Sequence, residues 1–349
     1  MGNPPDDTLN RYGPGRITRR KLFGDAASLM GAMAAGAALA PLASRAEAAG
    51  APQKVRVIVF EKPPAVVAAQ YKGFLAREGL DVDWTITRGS AEQMRGLLAG
   101  QWDIAQTAAD NVMAYVDREN ADAFIFLVSS LGLDQNLVVQ PDIQAFGDLR
   151  GKTLGVDAVD TGFAFVLRKM LADAGLAPAD YQFAPIGATQ QRLNAMVAKR
   201  IAGCLLSARL TSTVQQKGFR ILERGNQAFP LYPSSLTTAT TRRWARAHEA
   251  AVAGYARAIW AATAWVADPA NKEEAIGLIA RGQSVDPEAA RRLYEIDAEY
   301  RTKANPPLAQ VAAALEIVRG LRREMTGTGR DLSAYFDDRY MRPLGHAGP

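Results

Sequence analysis

The sequence predicts an α/β protein of two lobes, each built on a sheet of mainly parallel strands, meeting over a cleft. Three observations carry this. Short apolar runs rich in β-branched residues alternate with amphipathic helical stretches. The alternation completes one round near residue 130 and begins again near residue 152 in the same order. Two extended runs, QNLVVQ (Gln135–Gln140) and SSLTTAT (Ser234–Thr240), bracket the second round. Strand and helix alternating on this scale calls for parallel strands covered by helices, because each crossover must return the chain to the same edge of the sheet.

The first round opens with VRVIVF (Val55–Phe60), a continuous apolar run expected as a buried strand. From Pro64 to Glu78, Val67, Tyr71, Phe74 and Leu75 form one helical stripe, and Gly79 stops it. DVDWTIT (Asp81–Thr87) is the next strand. Ser90 is placed as the cap of a helix running to about Leu98, DIAQT (Asp103–Thr107) as a third strand, and residues 111–117 as a helix before the strand FIFLVSS (Phe124–Ser130).

The second round repeats the architecture without repeating the sequence. KTLGV (Lys152–Val156) is a strand, and the helix after it puts Phe163, Val166, Leu167, Met170, Leu171 and Ala174 on one face. YQFAPI, a helix from about Thr189 to Lys199, IAGCLL, a short helix near Thr211–Gln216 and the strand FRIL (Phe219–Leu222) follow. Beyond Arg242 the chain reads as mostly helical, with Val252, Tyr255, Ile259, Ala262 and Val266 at helical spacing. The expected division is 49–134 with 238–349 as lobe 1 and 135–237 as lobe 2.

Residues 1–48 read as a leader. TRRKLF (Thr18–Phe23) precedes about twenty small and apolar residues too diluted by Ala and Gly to span a membrane, and Ala46-Glu47-Ala48 has the small residues a signal peptidase reads. The basic motif resembles the twin-arginine export signal, whose machinery moves folded cargo. With one cysteine, Cys204, there is no lipobox cysteine after the apolar stretch, and the expectation is a free periplasmic protein cut near Ala48. An intramolecular disulfide needs two cysteines, so packing must supply the stability, and Cys204 in IAGCLL is expected as a small buried hydrophobe.

Hydrophobic residues at 48% and charged ones at 22% are globular values. Of the formal charge of +5, residues 1–48 carry +2, and the rest is scattered among acids. Such a distribution excludes a basic stripe for nucleic acid. Two histidines, His248 and His346, supply neither a histidine-rich metal site nor a triad among neighbours, and G-x-S-x-G, the phosphate loop and C-x-x-C are all missing. No cofactor, metal or catalytic residue is expected.

In doubly wound sheets, ligands bind beyond the carboxyl ends of the strands. That rule selects Phe60, Glu61 and Lys62 after the first strand, Arg88, Gly89 and Ser90 after the second, and Thr107, Asp110 and Asn111 after the third. On the second lobe it selects Asp160, Thr161, Gly162 and Phe163 at a helix start, with Gly187 and Ser207 after the next two strands. Unpaired amides and the helix dipole make the start near Thr161 attractive to an anionic or strongly polar group. Asp110, Asp160 and Ser90 have an ordinary alternative as helix caps. Charge leaves the ligand open: Arg88 and the helix start favour an anion, while Glu61, Asp110 and Asp160 oppose one. Phe60, Phe163 and Tyr232 are candidates to stack on a ring.

RGSAEQMRGLLAGQWDIAQTAADN, GDLRGKTLGVDAVDTGFAFVLRKMLADAGL and SLTTATTRRWARAHEAAVAGYARAIWAA resemble the solute-binding proteins of ABC importers. Within that group the nitrate, sulfonate and taurine binders, relatives of the thiamine-pyrimidine-precursor binders, are the most similar. The resemblance covers nearly the whole chain after residue 48. It implies the type II periplasmic binding fold, two crossovers, hinge closure on a small molecule, and an inner-membrane permease as partner. It also implies that the small polar residues at Thr161 hold the anionic part of a ligand. Two other roles share the fold: an exported enzyme of pyrimidine or thiamine-precursor metabolism, and a ligand-sensing subunit of a membrane receptor. The cysteine-rich signature of the pyrimidine-forming enzyme is missing here.

Overall fold

The computed structural model describes residues 51–346 other than Ser235 and Thr302. The leader, with TRRKLF and the cleavage site expected near Ala48, lies outside the described residues.

The first round forms β1 (Gln53–Val59), α1 (Pro64–Tyr71), α2 (Phe74–Arg77), β2 (Leu80–Ile86), α3 (Ser90–Leu98), β3 (Ile104–Thr107), α4 (Ala109–Glu119) and β4 (Ala123–Val128). The second forms β5 (Gln135–Val139), β6 (Lys152–Val156), α5 (Gly162–Asp173), β7 (Tyr181–Pro185), α6 (Thr189–Val197), β8 (Gly203–Ser207), α7 (Thr211–Gln216), β9 (Arg220–Glu223) and α8 (Gly225–Ala228). β10 (Thr237–Thr241) and the helices α9 (Arg242–Ala247), α10 (Glu249–Ala267), α11 (Lys272–Gln283), α12 (Pro287–Arg301) and α13 (Leu308–Thr326) follow, and short 3-10 turns run on to His346.

The described residues form two five-stranded sheets, ordered β2-β1-β3-β10-β4 and β7-β6-β8-β5-β9. Four strands in each run one way, and the fifth is antiparallel to both its neighbours. The antiparallel strands are β10 and β5, the two extended runs that bracket the second round. Each therefore carries the chain out of one sheet and into the other. The crossovers also fix what faces what: Thr237 pairs with Thr107 in the first sheet, and Gln135 pairs with Ser207 in the second.

Two local expectations fail. The single helix from Pro64 to Glu78 is broken by Gly73, whose φ of +72° belongs to the left-handed region that glycine enters without a Cβ clash. Tyr71, placed on the buried stripe, is consequently 47% exposed. On α5 the apolar face ends at Leu171, and Ala174 at the helix end is exposed.

Most of the buried apolar residues form one contiguous cluster. Val57, Ile58, Ile104 and Leu127 from the first sheet pack with Val252, Tyr255, Ile259 and Ala262 of α10. Phe126 lies edge-on to Tyr255 and Tyr340, at ring separations of 6.3 and 5.9 Å. A smaller cluster lies on one face of the second sheet, where Cys204 and Leu206 join Val138, Leu193 and Met196 while Leu205 between them faces the main core. This period of two is the pleat at work. Burial pushes the Cys204 thiol up to about 12, so it behaves as an inert apolar group. Among the described residues no helix is long and apolar enough to cross a membrane.

Candidate functional site

The strand ends and helix starts of the two sheets converge as the loop rule requires; two arginines join the converging walls by ion pairs, and a third braces one wall from behind. On one side Arg209, after β8, donates from Nε to Glu61 at 2.8 Å and from Nη2 to Asp297 of α12 at 3.2 Å. On another, Arg118 of α4 pairs with Asp160 at 2.5 Å. Between them Arg322 of α13 donates from Nη1 to Asp110 at 2.8 Å, lies 3.5 Å from Asp117 and covers the ring of Phe165 at 5.6 Å. Arg322 and Asp110 are each 2% exposed. A shallow recess lies beside Arg209 and is lined by Pro63, Ser130, Asp134, Leu236 and Asp297.

Asp110 is the second residue of α4, and its carboxylate lies against the first residue of α5. A Cβ built on Gly162 would fall 2.4 Å from both Cβ and Cγ of Asp110 and 2.6 Å from Oδ2. Glycine at 162 thus admits the aspartate. Asp110 Oδ2 has no hydrogen-bond partner of ordinary geometry among the described residues. Burial raises the pKa of Asp110, with Arg322 and the Gly162 backbone amide pulling the other way. Burial likewise lifts Glu61, against the attraction of Arg209. The Tyr232 hydroxyl, 1% exposed and without a partner among the described residues, is pushed well above its ordinary value by burial, and Asp110, Asp157 and Asp134 add to the effect. Phe163 and Tyr232 face each other at 6.4 Å, so two of the proposed aromatic walls meet.

Several candidate residues prove to be occupied locally. Thr161, not Asp160, caps α5: its Oγ1 accepts from the Ala164 amide and donates to Asp157 Oδ1 at 2.6 Å. Asp160 is instead the partner of Arg118. Ser90 is not a cap. Gly89 takes that position, and Glu92 reaches back to accept from the Arg88 amide at 2.7 Å and from the Thr87 hydroxyl, as an acid in the first turn does. The Arg88 side chain is 89% exposed and pairs with Glu92, which that contact holds down at about 2. Thr107 is buried and accepts from Asn111 Nδ2 at 2.8 Å. Gly187 has a φ of +102° and gives its carbonyl to Arg192 at 2.6 Å, which makes it a turn residue. Lys62 lies over the Trp84 ring at 5.6 Å, and burial lowers its pKa. Phe60 is 43% exposed. The Ser207 hydroxyl has no partner among the described residues, opposite Gln135, whose Oε1 also lacks one.

Sequence reasoning missed Arg209, Asp297, Arg118, Arg322 and Asp157. One signal was readable: Arg322 sits four residues after Val318 on the apolar stripe of α13, where Val311, Ala314, Leu315 and Val318 are all buried. A charge at a core position needs a buried partner. Among the described residues no group of three or more His, Cys, Asp or Glu is placed to hold a metal ion.

Two α/β sheets exchanging two antiparallel crossover strands around a shared cleft define the type II periplasmic binding fold. The NMT1/THI5 like family model matches residues 64–272, and the chain belongs to that family. The resemblance carried by the sequence is thereby borne out. Solved structures agree on the fold. The alkanesulfonate-binding protein SsuA from Xanthomonas axonopodis pv. citri, bound to MOPS, is 17% identical with a TM-score of 0.63 over 78% of this chain and 93% of that one. The periplasmic nitrate-binding protein NrtA from Synechocystis PCC 6803 is 14% identical, with a TM-score of 0.66 over 84% and 88%. A DszB mutant in complex with biphenyl-2-sulfinic acid is also 14% identical, with a TM-score of 0.61 over 85% and 100%. No curated protein matches the chain by sequence.

Proposed function

We propose that the protein is a periplasmic solute-binding protein of an ABC importer, which captures a small polar organic solute and delivers it to an inner-membrane permease. The observation that carries this reading is the cleft itself. Its walls come from two sheets linked by β5 and β10, and its closure rests on side-chain contacts from opposite walls, Arg209 with Glu61 and Asp110 with Gly162. The moving bodies are residues 49–134 with 238–349 on one side and 135–237 on the other. Ligand contacts fall to Glu61, Asp110, Gly162, Phe163, Ser207 and Tyr232. The structural neighbours named as nitrate- and alkanesulfonate-binding proteins support a small solute, and the TRRKLF leader supports export through the twin-arginine machinery.

Thermal-shift screening of nitrate, sulfonates, aromatic carboxylates, pyrimidines and amines tests the proposal, because a ligand that binds only the native state raises its melting temperature by mass action. The ligand recovered afterwards should be chemically unchanged by mass spectrometry. A second reading, an exported enzyme, takes its support from the DszB-like fold; a converted ligand in the same experiment would favour it and overturn transport. Failure of the chain to reach the periplasm when Arg19 and Arg20 are both changed to Lys tests the export route.

A further inference from the structure

The charges around the cleft do not balance. Glu61, Asp110, Asp134, Asp157, Asp160 and Asp297 supply six carboxylates, while Arg118, Arg209 and Arg322, with Lys62 next to Glu61 and over the Trp84 ring, supply the cations. Every one of those arginines is already engaged, and Arg322 also answers Asp117. Asp134 and Asp157 are left with hydroxyl donors, Ser234 and Thr161. Among the described residues each of these arginines is held by at least one carboxylate, although Arg322 Nε itself has no hydrogen-bond partner.

The amino end of α5, the other feature that would attract an anion, is also taken. Asp110 lies across it, held from behind by Arg322, and the missing side chain at Gly162 is what lets it approach. A carboxylate in this position already neutralises the exposed amides and the helix dipole. An oxyanion entering there would have to displace Asp110 or accept a buried like charge beside it, at a cost its attraction to the helix end would not recover. A cation meets the reverse situation. The Asp110 carboxylate is met by the Arg322 guanidinium and the Gly162 amide, the buried Tyr232 hydroxyl has no partner among the described residues, and Asp134 and Asp157 lie close enough to act on the tyrosine.

Resting on the solute-capture reading above, we propose that Asp110 is the charge filter of the cleft: it bars oxyanion head groups from the amino end of α5 and selects a solute with a protonated amine or amidinium head. The specificity would then be opposite in sign to that in the names of the nitrate- and alkanesulfonate-binding relatives.

The test compares head groups of opposite charge on one tail. The full chain and its Asp110→Asn variant are titrated calorimetrically with butylammonium and butane-1-sulfonate, and with benzylammonium and benzenesulfonate. The unaltered protein should prefer the ammonium of each pair by tenfold or more, and Asp110→Asn should shift that ratio toward the sulfonate by at least tenfold. Should the asparagine leave Arg322 poorly paired and the fold weak, Asp110→Ala with Arg322→Leu removes both charges and should gain the sulfonate similarly. An unaltered protein that prefers the sulfonate overturns the filter, and so does a variant whose ratio does not move or that binds none of the four. If the unaltered protein takes up no probe or other solute while the variant gains the sulfonate, the capture reading falls and the filter stands.

Discussion

Arg209 reaches across the cleft to place its guanidinium between Glu61 and Asp297, 2.8 and 3.2 Å away. One cation thus answers two carboxylates from different parts of the chain. Its side chain is 13% exposed, whereas that of Glu61 is 34% exposed, so solvent screens part of the attraction. Removing a single partner of a buried pair costs more than the pair contributes, since the remaining charge is stranded. Arg209→Leu should lower the unfolding free energy by about 2 kcal/mol, reduced from the fully buried case for that exposure. Urea unfolding checks this, and Arg209→Lys should fall in between, because an ammonium lacks the fork that serves two acceptors.

Thr161 holds α5 in place by accepting from the Ala164 amide and donating to Asp157. Thr161→Val keeps the shape and removes both bonds. Loss of such a cap costs about 1 kcal/mol, and Thr161→Ser should restore most of it. Chemical denaturation gives the stability change. If the hydroxyl serves the fold alone, affinity for the identified solute should fall by no more than a few-fold; a much larger loss in a well-folded Thr161→Val protein would return Thr161 to the ligand.

These two sites show what was legible in the sequence. Strand and helix positions could be read to within a few residues because each strand is an apolar β-branched run bounded by polar residues, as in VRVIV and FIFLV. The two crossovers were readable as extended runs standing outside the strand-helix rhythm. Cap assignment was less secure: Asp160 and Thr161 are adjacent and both chemically able to cap, and only the backbone decides. The ionic ties were hidden for a different reason. Asp110 and Arg322 are 212 residues apart, and no local pattern joins them. A loop rule finds strand ends, yet it does not say whether a carboxylate at one strand end will be used by the ligand or by the opposite wall.

Asp110 should leave a signature in the dependence of stability on pH. Its folded pKa is raised above the ordinary 3.8, so over the interval between the two values the folded state binds more proton than the unfolded one. Stability from this group is then fully present below 3.8 and declines as pH rises through the folded value, after which it is level. The unfolding free energy of the unaltered protein minus that of Asp110→Asn should therefore fall with rising pH across that window. A difference that rises instead would mean that attraction to Arg322 outweighs burial.

Gly162→Ala separates closure from folding. The residue begins a helix and its φ is not in the left-handed region, so alanine suits the backbone, and any loss of stability would come from Asp110 leaving Arg322 rather than from backbone strain. The same methyl would stand 2.4 Å from Cβ and Cγ of Asp110, well inside the roughly 3.5 Å at which carbon atoms meet. Either the walls stay apart or Asp110 turns away from Arg322. Small-angle scattering should show the ligand-free variant more extended than the unaltered protein, and solute affinity should drop because closure now carries a steric penalty. Replacing Asp110 by Gly in the same molecule removes the colliding atoms and should restore the compact form. If Gly162→Ala leaves the scattering profile unchanged, the contact between Asp110 and the start of α5 is not what brings the two walls together.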